Sequence, residues 1–134
     1  MRLLFDTNVI LDIALNREPH HKNAIELFKK INNKSFSGFV TATTITDLYY
    51  IIKKDVNHDT AISFIKDLIE IFEIIGIDKS TIKKALNSNM KDFEDAVQSV
   101  ASNFNDIDFI LTRNTKDFKN SKVKAISPRT FLKR

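Results

Sequence analysis

Apolar residues along this chain keep two rhythms, short unbroken runs and stripes spaced three and four apart, and the two alternate throughout. The first run is Leu3-Leu4-Phe5, which stops on Asp6. A short unbroken run reads as a strand buried on both faces, here about residues 2–6. Val9, Ile10, Ile13 and Ala14 then take helical spacing as far as the Asn16–Pro19 loop. Pro19 suits the start of a second helix, roughly 20–32, which turns Ala24, Leu27, Phe28 and Ile31 inward. Phe36 to Ala42 reads as a second strand. Thr43 or Thr44 is expected to cap a helix over 44–55, with Ile45, Leu48, Tyr49 and Ile52 on one face. A turn and cap at 57–60 precede the stripe Ala61, Ile62, Ile65, Leu68 and Ile69. Phe72 to Ile77 is a third strand, and Ser80 is expected to cap a short helix to about Leu86. Asp92 caps a helix over 93–104 whose inner face is Ala96, Val97, Val100, Ala101 and Phe104. Residues 108–112 and 123–126 are the last strands, the latter at an edge, and Pro128 starts a final helical turn.

Strands that alternate with helices imply a parallel sheet with helices on both faces, joined by right-handed crossovers. The expected class is therefore α/β, a three-layer α/β/α fold with a parallel sheet of four to five strands. Two glycines and two prolines among 134 residues leave little room for linkers, and no repeat is visible, so one domain over 1–134 is expected. With 43% hydrophobic and 28% charged residues, the composition is that of a folded domain rather than a disordered chain.

Cysteine is absent, which excludes disulfides and leaves any zinc site to histidine and carboxylate. His20, His21 and His58 lie in polar, turn-like contexts and read as surface residues. No apolar run approaches the roughly 20 residues of a membrane span, and the first run ends too early for a secretory signal. A cytoplasmic location without membrane contact is the expectation. The net charge is +4. Arg113, Lys116, Lys119, Lys122, Lys124, Arg129, Lys133 and Arg134 face a single acid, Asp117, in the last segment. That segment is either a phosphate-facing surface or an ordinary solvated face.

The acids carry more chemistry. Asp6 ends the first strand, where open α/β sheets bind their ligands, and burying it there needs a positive partner. Asp47 is expected in the first turn of the helix after the second strand. Asp95 is expected in the first turn of the helix before the fourth, and Asp117 five residues beyond that strand. The strand ends and these helix starts share one edge of a parallel sheet, so four segments can deliver oxygen ligands to one crevice. Hard divalent cations such as Mg²⁺ use such oxygens and keep several waters. Such ions can activate a water and stabilise the leaving oxygen in phosphodiester hydrolysis. Each acid has a plainer reading. Asp6 can cap the next helix, Asp47 can favour a helix N-terminus, and Asp92 with Asp95 can form a capping pair. The stripe Asp95, Ser99 and Ser102 can face water, and Asp117 can belong to a turn. Asp12, Asp59, Asp67, Asp78, Asp106 and Asp108 lack the edge placement and read as surface or capping acids.

Four stretches together resemble the PIN-domain proteins, metal-dependent ribonucleases that include VapC-type toxins. They are Asp6-Thr-Asn-Val, Thr43-Thr-Ile-Thr-Asp47-Leu-Tyr-Tyr, Asp92-Phe-Glu-Asp95-Ala-Val-Gln and Ile110-Leu-Thr-Arg-Asn114-Thr-Lys-Asp117-Phe, and the ending Ile126-Ser-Pro128 to Phe131-Leu is similar too. The resemblance implies a PIN-like fold, an Mg²⁺ or Mn²⁺ site, and cleavage of RNA by an activated water. It further implies an antitoxin protein and a homodimer as partners. By position, Asp6 and Asp95 match the family's metal ligands. Asp47 stands where Glu is commoner, and Asn114 stands where many members carry Asp, leaving Asp117 as the nearby acid. Asn8 and Thr112 are then hydrogen-bonding support. Glu94 is expected to point away, since helix neighbours do not share a face. Lys53, Lys54, Arg113 and Lys116 are candidate phosphate contacts. Tyr49 and Tyr50 are expected in the core. Two other readings stay open: a PIN-like RNA- or protein-binding module without catalysis, and a haloacid-dehalogenase-like phosphatase. The second fits less well, because its general acid would fall on Asn8.

Overall fold

The computed structural model describes all residues, 1–134. Its elements follow the expected alternation: β1 (Arg2–Phe5), α1 (Thr7–Ala14), α2 (His21–Asn32), β2 (Ser37–Thr41), α3 (Ala42–Asp55), α4 (His58–Ile71), β3 (Glu73–Ile75), α5 (Lys79–Leu86), α6 (Phe93–Phe104), β4 (Phe109–Leu111), β5 (Ala125–Ile126) and α7 (Pro128–Leu132). A 3₁₀ turn, Thr115–Phe118, follows β4. The strands form one parallel sheet in the order β3-β2-β1-β4-β5.

β1 is the central strand, which explains its run of apolar residues: Leu3, Leu4 and Phe5 are fully buried. Alternate side chains enter opposite layers. Leu3 and Phe5 join the core beneath α1, α2, α3, α4 and α7. Leu4 joins Phe39, Ala101 and Ile110 in the core beneath α6. The chain first grows from β1 through β2 to β3, then returns to the other side of β1 for β4 and β5. Crossovers therefore diverge at the β1–β4 seam and open a crevice at the carboxyl ends of those strands. On β2, Gly38 is required by close approach. A Cβ there would lie 2.5 Å from Ile31 Cδ1 and 2.8 Å from Phe72 Cε2.

Several local expectations are corrected. Thr41, not Thr43 or Thr44, caps α3, because β2 runs into the helix without a loop and the first hydroxyl residue still has extended backbone. Asp78, not Ser80, caps α5, its carboxylate accepting from Thr81 N at 2.9 Å and Thr81 Oγ1 at 3.0 Å. These two bonds hold its pKa below the usual range. Phe104 is 46% exposed, and Tyr50 is 67% exposed rather than in the core. Ser99 and Ser102 are buried, not facing water, because α6 turns part of its polar stripe inward. No helix is long and apolar enough to cross a membrane.

Candidate active site

Asp6 is the hub of the crevice. It leaves β1 with extended backbone and caps α1, so its carboxylate turns back over the first turn of that helix. Oδ1 accepts from Thr7 N at 2.7 Å and from Gln98 Nε2 at 2.9 Å. Oδ2 accepts from Thr112 Oγ1 at 2.7 Å and from Asn8 Nδ2 at 3.1 Å. The capping reading and the site reading of Asp6 are thus one geometry. Four donors, drawn from α1, α6 and the residue after β4, stabilise a carboxylate that is only 7% exposed. They also fix its orientation.

α6 brings the second group of acids. Asp92 caps the helix through Asp95 N at 2.9 Å, which sets the first turn against the crevice. Asp95 is half-buried. Its pKa is raised to about 7, first by burial and then by the charges of Asp92, Asp6 and Asp117. Glu94 does not point away. Its pKa is raised to about 8, first by a hydrogen bond shared with Asp47, then by burial and by the charges of Asp47, Asp92 and Asp6. The rule that successive helix residues diverge holds on the flank of a helix. At its end, two side chains of the first turn can reach one point beyond the axis. Asp47 itself lies in the second turn of α3, because that helix begins at Ala42.

Asp117 lies exposed in the 3₁₀ turn, near enough to act on Asp95 by charge. Asn114 is exposed; its backbone N donates to Thr112 Oγ1 at 3.1 Å, and its side chain makes no hydrogen bond to the site. Asn8 spans the crevice, since its Oδ1 also accepts from Arg113 N at 3.5 Å. Asp12 is no surface acid. It is 1% exposed and meets Arg113, whose Nε and Nη2 donate to its two oxygens at 2.8 and 3.2 Å. α1 is buried around most of its circumference, and the bidentate arginine makes a carboxylate tolerable there.

Gln98 was not legible as a site residue. The available signal was a long amide one turn after Asp95, within an otherwise apolar and small-residue stripe. Its Nε2 serves Asp6, while its Oε1 is buried without a partner.

The donor set suits a hard divalent cation. It is all oxygen, and nearby carboxylate charges help raise the pKa values of Glu94 and Asp95, as uncompensated like charges do. The hydration shell of an ion in the crevice would offer donors of the kind Gln98 Oε1 lacks. No three carboxylates or imidazoles close around a single point. A cation here would therefore be held by one or two carboxylates and keep several waters, as Mg²⁺ prefers.

A family model described as "PIN domain" matches residues 2–116. The chain is 29% identical over 138 residues to Ribonuclease VapC1 of Aquifex aeolicus (strain VF5), covering 99% of this chain and 94% of that protein. Among solved structures it is similar to VapBC2 from Rickettsia felis bound to a promoter DNA fragment, with TM-score 0.72, 15% identity, and 95% and 98% of the two chains covered. A toxin–antitoxin complex from Klebsiella pneumoniae gives TM-score 0.71 at 21% identity, covering 94% of this chain and 97% of that one.

Proposed function

The chain belongs to the PIN-domain family, and from that premise we propose that it is a metal-dependent endoribonuclease acting as the toxin of a toxin–antitoxin pair. The observation that carries this reading is that Glu94 and Asp95 both have raised pKa values, each in part from the charge of the clamped carboxylate of Asp6. The ribonuclease name of the Aquifex aeolicus relative and the toxin–antitoxin names of the solved neighbours support it.

In this reading Asp6 and Asp95 hold Mg²⁺ or Mn²⁺ directly, Asp47 reaches it through a water, Glu94 lies beside Asp47, and Asp117 stands at the rim. A bound ion supplies a water of lowered pKa and polarises the scissile phosphate. The chain's own residues do the rest. Thr112, Gln98, Asn8 and Thr7 N keep Asp6 aimed. Glu94, its pKa raised to about 8 beside Asp47, keeps its proton near neutrality in the metal-free protein. Metal binding must therefore release protons. RNA is the substrate, and an antitoxin protein and a second copy of the chain are the protein partners.

The test is cleavage of a structured RNA pool with Mg²⁺ or Mn²⁺, beside EDTA and an Asp6→Asn/Asp95→Asn variant shown folded by circular dichroism. We expect metal-dependent cleavage that the variant loses by more than about 100-fold, since even partners outside the ligand set typically cost 10–100-fold. A second reading, a binding module without catalysis, is favoured by one observation: no three acids close around a point. Calorimetry separates the two. A folded wild type that neither binds the cation nor cleaves RNA leaves only the binding module.

A further inference from the structure

Beside the acidic crevice, at the same edge of the sheet, lies a cleft of about 430 Å³ whose rim includes Pro19 and Pro128. Asp12, His20, Asn23, Arg113, Ser127 and Arg129 line it. We propose that this cleft binds a backbone phosphate of single-stranded RNA, one position along the strand from the bond at the acidic crevice. This rests on the ribonuclease reading above.

Three observations carry it. First, the cleft begins where the Asp6 network ends. Arg113 directly follows Thr112, whose hydroxyl holds Asp6, and its backbone N lies against Asn8 Oδ1. Second, Arg113 is pre-aimed. Asp12 takes its Nε and one Nη2 hydrogen, while Nη1 makes no hydrogen bond and the side chain stays 28% exposed. A guanidinium held this way loses little freedom when it meets a phosphate, and its planar fork suits two phosphate oxygens. Third, Arg129 stands exposed in the first turn of α7, on the opposite wall, with no ion-pair partner. Asp12 cancels one arginine, so the cleft keeps the charge of the other. A pair serving only to tie α1 to the loop after β4 would need neither the open volume nor Arg129.

The test is fluorescence anisotropy with a labelled mixed-sequence single-stranded RNA in EDTA, where no cleavage intrudes, repeated across salt concentrations. Arg129→Ala is the main variant, since nothing in the fold rests on that side chain. An Asp12→Asn/Arg113→Gln double variant removes the guanidinium fork together with its carboxylate partner, so that no buried charge is stranded and the net charge is unchanged. Lys34→Ala, in the turn before β2 at the far edge of the sheet, is the control. We expect each cleft variant to weaken binding by roughly 5–10-fold. The slope of log affinity against log salt should shrink by about 0.7 in Arg129→Ala, which no longer neutralises one phosphate, and should hold in the charge-balanced double variant. The control should change neither. RNA with and without a 5′-phosphate should bind alike. Unchanged affinity and slope in Arg129→Ala overturns the proposal. So does sensitivity confined to 5′-phosphorylated RNA, which would make the cleft a terminal-phosphate site, or loss of a protein partner's binding with RNA binding intact. Cleavage by the wild type with a silent Arg129→Ala rejects the cleft and keeps the nuclease. Arginine-dependent RNA binding without metal-dependent cleavage rejects the nuclease and keeps the cleft.

Discussion

At the residue scale the chemistry rests on how one carboxylate is held. Thr112 Oγ1 gives Asp6 Oδ2 a bond of 2.7 Å, tied with Thr7 N for the shortest in the network. Thr112→Val keeps the shape and removes the donor. We expect metal affinity or RNA cleavage to fall by about 10–100-fold, with thermal stability shifted by only a few degrees. Isothermal titration and initial rates check this; an unchanged metal affinity would show that Asp6 needs no such support. The places of Asp6 and Asp95 can be read from sequence because they fall at a strand end and a helix start, positions that periodicity locates well, whereas Asp47 lies a turn further into its helix than the sequence suggests. Asp12 cannot be placed this way, because its reason for being buried, Arg113, lies 101 residues away. Glu94 escapes as well, because a rule for helix flanks does not hold at a helix end. Both residues turn on where a side chain points once two distant segments meet, which no local pattern encodes.

At the element scale, Asp12 and Arg113 pin α1 to the loop after β4, and the two partners are not equivalent. Arg113→Ala strands a carboxylate that is 1% exposed, a loss that typically costs about 3–5 kcal/mol in a buried pair. Asp12→Ala leaves an arginine with some exposure already, free to turn toward water, and should cost less. Urea midpoints of the two variants check the order, and equal midpoints would mean that Asp12 simply takes up a proton. On β2, Gly38→Ala drives a methyl into Ile31 and Phe72. We expect a loss of about 1–3 kcal/mol, typical of an overfilled core, measured in the same way. Every expected strand and helix is present, since stripes and runs of this strength survive tertiary packing. The ends moved by a few residues: clusters such as Thr41, Thr43 and Thr44 offer several chemically similar caps, and backbone conformation selects among them.

At the scale of the whole molecule, the crowded acids make stability depend on pH and metal together. Glu94 and Asp95 bind protons more tightly when folded than unfolded, with pKa values of about 8 and about 7 against 4.5 and 3.8. Between those limits the native state holds protons that the unfolded chain has released. Metal-free stability is therefore fullest below about pH 4 as far as these two groups act, and falls as pH rises through about 8. We expect Tm in EDTA to drop from pH 5 to pH 8. Added Mg²⁺ or Mn²⁺ should restore it more strongly at pH 8 than at pH 5, because binding to the native state alone raises stability. A metal-free Tm that is flat over that range would mean that the acids are not crowded in solution.

The sheet order β3-β2-β1-β4-β5 has one more consequence. A cut between β3 and α5 divides the chain into two pieces, each with contiguous strands, that touch within the sheet only along the β1–β4 seam. Asp6 and Asp47 go with one piece, and Glu94, Asp95, Gln98 and Thr112 with the other. Neither piece alone has a complete set of acids or the full clamp on Asp6. On the toxin reading proposed above, the two pieces expressed separately should leave growth unaffected, and toxicity should return only where something brings them together. On that reading the chain can serve as a two-input switch, with the seam between its central strands as the junction at which both inputs must be present.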